Sequence, residues 1–281
     1  MKNVISLLLV FLSVSFNAYP QEADYKVYAI KFAGTAHPWP ISDWVDHGPA
    51  NDSVNIDFVI WLMKGNNGKN ILLDAGFLND IEDAKDFGVT NYVRPDSALS
   101  KLNVKAEDIT DIILSHPHWD HMDGLSLFPK AHVWIQKEDY NYFVGASWQK
   151  GGNKGGFNKR DIRLLVDLNL AGRLTLVDGD QEIFPGVHVY TGSRHTFNSQ
   201  YVLVKSHQNK IVLASDNIWV YYSLQRMRPP SAGGTFDTTA YKRAMLKMKS
   251  LASNEKFIIP GHDATMFLLF PVVAEGVVKI E

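Results

Sequence analysis

Apolar residues along this chain come in short runs separated by turn-forming residues, the pattern of buried strands rather than long helices. Residues 26–33 and 56–64 read as strands. A Gly-Asn-Asn-Gly turn at 65–68 leads into a further strand at 70–74, so the latter two form a predicted hairpin. More strands are predicted at 111–114, 131–135, 174–177, 187–190, 200–205, 210–214 and 257–259. Residues 97–102 look helical, 106–108 start a helical turn, 137–144 form a helix, and 237–251 carry the clearest amphipathic pattern. Strands followed by helices, twice over, predict two sheets with helices outside. Residues 145–159, rich in Gly, Asn and Lys, read as a mobile surface loop rather than a domain linker, and 229–235 as a second loop. No internal repeat stands out.

Composition narrows the function. The chain has 281 residues, 46% of them hydrophobic and 12% aromatic, enough for a large single core. The net charge is −2, with no basic surplus to hold nucleic acid or an anionic membrane. A neutral or weakly charged small molecule suits this balance better. There are no cysteines, which excludes disulfides, thiolate catalysis, cysteine zinc sites and a lipoprotein anchor.

The start of the chain has the features of an export signal. Lys2 supplies a positive charge, residues 4–16 are apolar apart from serines, and Asn17, Ala18, Tyr19 and Pro20 end the run. The run is too short to span a bilayer. The expected organisation is a leader over residues 1–20 and one domain over 21–281, in the periplasm or outside the cell, without a membrane anchor.

The segment Ser115-His116-Pro117-His118-Trp119-Asp120-His121 places four potential ligands within six positions, directly after an apolar strand. Imidazole nitrogen and carboxylate oxygen both suit zinc. Pro117 keeps its neighbour out of helix, so His116 and His118 project the same way from an extended loop and can grip one ion. Asp120 and His121 begin the next turn and face another point, so one loop can serve two metals. Three more candidates follow strands: His195 after 187–190, Asp216 after 210–214 and His262 after 257–259.

His-x-His-x-Asp-His at 116–121, with His195, Asp216 and His262, resembles the metallo-β-lactamase superfamily from about residue 25 onward. The resemblance implies an α/β fold of the four-layer αββα type. It implies one metal on His116, His118 and His195, a second on Asp120, His121 and His262, and Asp216 bridging both. Pro260-Gly261-His262-Asp263 and Leu73-Asp74-Ala75-Gly76 are similar to the N-acyl-homoserine lactonases, with Asp74 matching an acid that orients a ligand histidine. Gln200 also matches. Phe197 and Asn198 stand where that family often has Pro-Gly, and Trp219 stands where its best-known members have a catalytic tyrosine.

The resemblance therefore implies a dinuclear-zinc hydrolase that opens an acylated lactone. Two zinc ions about 3.5–4 Å apart would share a water and bring its pKa near 7. Asp120 would carry a proton to the leaving oxygen, and Tyr221 or Tyr222 would replace the missing tyrosine as oxyanion donor. Trp39, Phe143, Trp148, Trp219, Tyr221 and Tyr222 would wall an acyl-chain groove. The alternative is another exported metallo-hydrolase of the same fold, a β-lactamase or a different lactone or ester hydrolase; Asp216 argues against the first. Whether two copies pair as a homodimer stays open. The mature chain is expected to begin near Gln21. Mass spectrometry of protein from its native host should show the loss of roughly twenty residues, and full-length protein in the cytosol would contradict export.

Overall fold

The computed structural model describes residues 23–281; the leader expected over 1–20 lies outside them. In strands β1 (Tyr25–Thr35) and β2 (Asp57–Gly65), side chains alternate between two buried clusters. Val27, Ala29, Val59, Trp61 and Met63 join one, and Ile30, Phe32, Phe58, Ile60 and Leu62 join the other. A period of two means that these strands are covered on both faces. A second sheet supplies one cover and helices supply the other.

Four more strands follow in the first sheet: β3 (Asn70–Leu73), β4 (Asp111–Ile113), β5 (His132–Gln136) and β6 (Leu174–Val177). The second sheet is built from β7 (Gln181–Phe184), β8 (Val187–Thr191), β9 (Gln200–Ser206), β10 (Asn209–Ser215) and β11 (Ile258–Pro260), in chain order across the sheet. The chain returns to the first sheet with β12 (Val272–Ala274) and β13 (Val277–Ile280), giving the order β12-β13-β1-β2-β3-β4-β5-β6. The short strand Val89–Thr90 pairs with the end of β1. Helices Lys137–Val144 and Lys159–Leu170 cover the outer face of the first sheet through Tyr140, Phe143, Leu165 and Leu168. Helix Thr238–Leu251 packs against the second sheet through Tyr241, Ala244, Met245 and Met248. The architecture is the expected four-layer αββα sandwich. Among the described residues no helix is long and apolar enough to cross a membrane.

Strand direction fixes where the chemistry collects. β2 and β3 form the expected antiparallel hairpin, with Trp61 opposite Leu73. β3 and β4 run parallel, with Leu73 beside Ile113, so Asp74 and the 115–121 loop leave the sheet at the same edge. β10 and β11 are also parallel, with Leu213 beside Ile259, so Asp216 and His262 emerge together. The two edges are stitched by Gln200, the fully buried first residue of β9. Its backbone N–H donates to the Ser115 carbonyl at 2.9 Å and its amide donates to the Leu114 carbonyl at 2.8 Å. Its amide oxygen accepts from Gln136 Nε2 at 2.9 Å.

The sequence reading missed β7, β12, β13 and helix Lys159–Leu170. Apart from the buried Phe184, β7 and β12 carry exposed or half-exposed residues, with little apolar alternation to read. The 145–159 segment differs from the surface loop expected there. It contains the turn Ala146–Trp148 and returns to the site, where the Trp119 N–H donates to the Gly156 carbonyl at 2.9 Å.

Removing the Gln200 side chain takes the amide donor from the buried Leu114 carbonyl and the acceptor from one of the two Gln136 amide hydrogens. Gln200→Ala should lower the unfolding free energy by about 1–3 kcal/mol, measured by urea denaturation. An unchanged midpoint and slope would show that the stitch contributes nothing.

Candidate metal centre

The loop after β4 is extended through His118, which stands at the head of the single turn Trp119–Met122. That geometry divides the motif as expected. His116 and His118 point to one place; Asp120 and His121, on the turn, point to another. His195 arrives from the β8–β9 loop, Asp216 from the end of β10 and His262 from the end of β11. Two groups result, His116–His118–His195–Asp216 and Asp120–His121–His262, and within each the potential ligand atoms lie within 4.8 Å of one another. All seven sequence-predicted ligands are therefore brought together.

Asp216 sits between the groups. Its Oδ2 is 3.4 Å from His195 Nε2 and 3.9 Å from His116 Nε2. Its Oδ1 is 3.0 Å from His262 Nε2 and 3.3 Å from His121 Nε2. In the second group Asp120 Oδ2 is 3.3 Å from His121 Nε2 and 3.5 Å from His262 Nε2.

The outward nitrogens of four histidines are already engaged. Nδ1 of His116 meets Ser115 Oγ at 2.8 Å, and Nδ1 of His121 meets Asp74 Oδ2 at 2.8 Å. Nδ1 of His195 meets the Gly234 carbonyl at 2.8 Å, and Nδ1 of His262 meets the Asp57 carbonyl at 3.1 Å. A neutral imidazole that donates from Nδ1 presents a lone pair at Nε2. His118 is turned the other way, with Nδ1 facing His195 Nε2 at 3.1 Å. Its ring lies against Gly156, where an added Cβ would come within 2.7 Å of it. Nε2 of His116, Nε2 of His121 and Oδ1 of Asp216 are buried without a hydrogen-bond partner. Orphaned buried atoms of this kind are costly, and a cation between them would satisfy all three.

The electrostatics agree. Burial, followed by the neighbouring imidazoles, holds His116 well below the usual histidine range and His118 at about 3; burial also lowers His195. That half is a nest of neutral nitrogen donors at pH 7. In the other half, burial opposes charge on His121, but Asp120, Asp216 and Asp74 together raise it well above its ordinary value. Burial would likewise raise Asp216, yet His262 and His121 keep it well below the usual carboxylate range. Metal ligands bind deprotonated, so an ion in the second half would compete with the protonation of His121 that these carboxylates favour.

The backbone is strained where ligands leave it. Asp74, Arg194 and Ser215 adopt left-handed φ of 63°, 57° and 46°, and the latter two directly precede His195 and Asp216. Gly261 lets these turns close, because a Cβ there would meet Asp216 Oδ1 at 2.5 Å. Asp139 anchors the His195 loop: it accepts from Thr196 Oγ1 at 2.6 Å and from the Asn198 N–H at 3.0 Å, and burial pushes it up to about 6.

A cavity of about 340 Å³ opens onto the centre. Trp39 and Trp219 line it as expected; Phe143, Trp148, Tyr221 and Tyr222 do not. Phe143 and Trp148 belong to the core under the helices. Tyr221 and Tyr222 correct the expectation of a tyrosine donor. Val220 and Tyr221 open helix Tyr221–Arg226, which turns the Tyr221 ring into the inter-sheet core, where its hydroxyl is buried unpartnered and burial raises its pKa. Tyr222 packs in a separate cluster under the Arg226 guanidinium. The walls that sequence reading missed are Trp44, Phe58, Phe87, Trp119, Phe157 and Phe236. They come from six separate segments, and apart from Trp119, which lies between His118 and Asp120, no local pattern marks them. Trp219 Nε1 donates to Asp216 Oδ2 at 2.9 Å. Its indole thus holds the bridging carboxylate while forming part of the wall.

A buried histidine–carboxylate site with two facing ligand groups, at one edge of an αββα sandwich, defines a divalent-metal centre. The family profile of the Metallo-beta-lactamase superfamily matches residues 58–262, and the chain belongs to that superfamily. It is 26% identical over 166 residues to an N-acyl homoserine lactonase of Bacillus cereus, covering 59% of this chain and 60% of that protein. It is 25% identical over 178 residues to the N-acyl homoserine lactonase AiiB of Agrobacterium fabrum, covering 60% and 62%. The chain thus spans about 60% of the length of these curated relatives. A solved N-acyl homoserine lactone hydrolase with N-hexanoyl-L-homoserine at its catalytic metal center superposes with a TM-score of 0.69 at 20% identity, covering 88% of this chain and 96% of that one. The hydrolase AbOPH superposes with a TM-score of 0.63 at 16% identity, covering 92% and 94%. At these identities the likeness is one of fold.

Asp216→Ala removes the oxygen atoms that face both groups. Elemental analysis of the purified variant should show at least one ion fewer per chain than the parent. Trp219→Phe keeps the wall and removes only the donor, so it should retain the parent's stoichiometry and bind more weakly in a chelator competition. Full metal content with unchanged affinity in Asp216→Ala would show that the carboxylate is not shared.

Proposed function

We propose that the chain is a dinuclear-zinc hydrolase that opens the ring of N-acyl homoserine lactones, acting as a quorum-quenching enzyme outside the cytoplasm. The observation that carries this reading is the division of Asp216 between two ligand groups at the floor of an aromatic-walled cavity. His116, His118 and His195 would hold one ion, Asp120, His121 and His262 the other, and Asp216 both. Two such ions would supply an activated water at neutral pH and Lewis acids for the carbonyl and the leaving alkoxide.

This chain's own residues supply the rest. Asp120 lines the cavity, and in this reading it would carry a proton to the departing oxygen. Asp74 and the Gly234 and Asp57 carbonyls would each accept an Nδ1 proton and so leave Nε2 of that imidazole to face an ion. The Trp219 indole holds Asp216. The rings of Trp39, Trp44, Phe87 and Phe157 offer an acyl chain an apolar surface.

The charge of the cavity favours a lactone over a β-lactam. Asp43 and Asp83, which hold no ion in this reading, line it with no Lys or Arg beside them among the described lining residues. A β-lactam carboxylate would meet these acids and find no basic side chain in the walls to receive it. A neutral acyl lactone meets no such cost. The lactonase activity of the relatives points the same way.

The test compares proton release on adding a long-chain N-acyl homoserine lactone with the absorbance change on adding nitrocefin, using zinc-loaded protein. Turnover of the lactone with little or no nitrocefin hydrolysis is expected. Fast nitrocefin turnover with an inert lactone would overturn the substrate while leaving the metal centre in place.

A further inference from the structure

The two ligand groups share more than Asp216. Behind them lies a second buried polar cluster of Asp74, Ser115 and Ser215, each 0–1% exposed. Asp74 Oδ1 accepts the Ser115 backbone N–H at 2.8 Å. Its Oδ2 is approached by three groups: His121 Nδ1 at 2.8 Å, Ser215 Oγ at 2.7 Å and Ser115 Oγ at 2.9 Å. Ser115 Oγ also touches His116 Nδ1 at 2.8 Å and Ser215 Oγ at 3.0 Å.

The protons in this cluster can be placed by elimination. A hydroxyl has one hydrogen, and an ionised carboxylate only accepts. Nε2 of His116 is buried without a protein partner and faces the centre. If it presents a lone pair there, the ring proton sits on Nδ1 and is donated to Ser115 Oγ. The Ser115 hydrogen is then free to point at Asp74 Oδ2, as does that of Ser215. His121 gives its Nδ1 proton to the same oxygen and leaves its own Nε2 facing Asp216. One arrangement satisfies every donor, and it runs without a break from His116 in the first group to His121 in the second.

Beyond the one ligand histidine that the resemblance already gives Asp74, here His121, we propose that Asp74 also orients His116 in the first half through the Ser115 hydroxyl, which makes Ser115 a positioning residue of that half. The inference rests on the two-ion reading above. It also assigns Ser215 a role: its hydroxyl helps hold Asp74 from the strained turn that presents Asp216.

Two variants separate the halves. Ser115→Ala removes the acceptor of the His116 proton and leaves the His121–Asp74 contact intact. Asp74→Asn replaces one of two accepting oxygens by an amide that donates, which disturbs both paths. The measurement is a zinc titration of the apo protein against a chromophoric chelator, with long-range proton–nitrogen NMR of the imidazoles to report which half fills. For Ser115→Ala, affinity should fall about 10–100-fold in the half containing His116 and stay near the parent's in the half containing His121. For Asp74→Asn, both halves should weaken. Parent-like titration of Ser115→Ala, equal weakening of both its halves, or weakening of only one half in Asp74→Asn would each overturn the proposal. The same spectra of the unsubstituted apo chain give a test independent of variant folding: His116 should carry its proton on Nδ1, and a proton on Nε2 would overturn the relay. Uptake of a single ion by the unsubstituted chain would instead overturn the two-ion reading, and the His116 tautomer would still decide the relay.

Discussion

Everything at this edge of the sandwich is arranged around one buried carboxylate that has imidazoles on both sides. Asp216 is 4% exposed, and four Nε2 atoms lie within 3.9 Å of its two oxygens. So many lone pairs in a low-dielectric site are tolerable only if cations sit among them. The carboxylates around His121 raise its pKa well above the ordinary value. Metal ions would answer the same demand and reach the orphaned atoms of His116, His121 and Asp216.

The fold supplies the geometry that this arrangement requires. Two parallel strand pairs, one in each sheet, release their chains at the same edge, so ligands distant in sequence converge without long loops. The left-handed residues Asp74, Arg194 and Ser215 store strain at those exits. Buried polar contacts hold them: Gln200 between the sheets, Asp139 under the His195 loop, and the Asp74–Ser115–Ser215 cluster beneath the ligands. The Arg160 fork on Asp123, at 2.5 and 2.6 Å, ties down the segment that follows the ligand-bearing turn.

The metal centre was legible because its ligands follow a local rule. His116, His118, Asp120 and His121 lie within six positions, and each of the other three follows an apolar strand that periodicity reveals. The strands of the core were legible for the same reason, as was helix Thr238–Leu251. The cavity wall was not. Trp44, Phe87, Phe157 and Phe236 meet only through tertiary packing, and nothing in their neighbours distinguishes them from core aromatics. Tyr221 and Tyr222 show the converse failure. Nearness in sequence to Asp216 suggested a catalytic hydroxyl, but a helix starting at Tyr221 carries both away from the cavity. The Trp219 indole, read as a departure from the lactonase pattern, proves to be bonded to Asp216 itself. Ser115 and Ser215 carried no signal at all, because a serine beside a ligand is unremarkable until its hydroxyl is located.

The central claim is that Asp216 is shared by two metal ions. Anomalous diffraction at the zinc edge from crystals of the zinc-loaded protein tests it most directly. The account predicts two peaks about 3.5–4 Å apart, one among His116, His118 and His195 and one among Asp120, His121 and His262, with one Asp216 oxygen facing each. A single peak, or two peaks with Asp216 turned away from either, would contradict it.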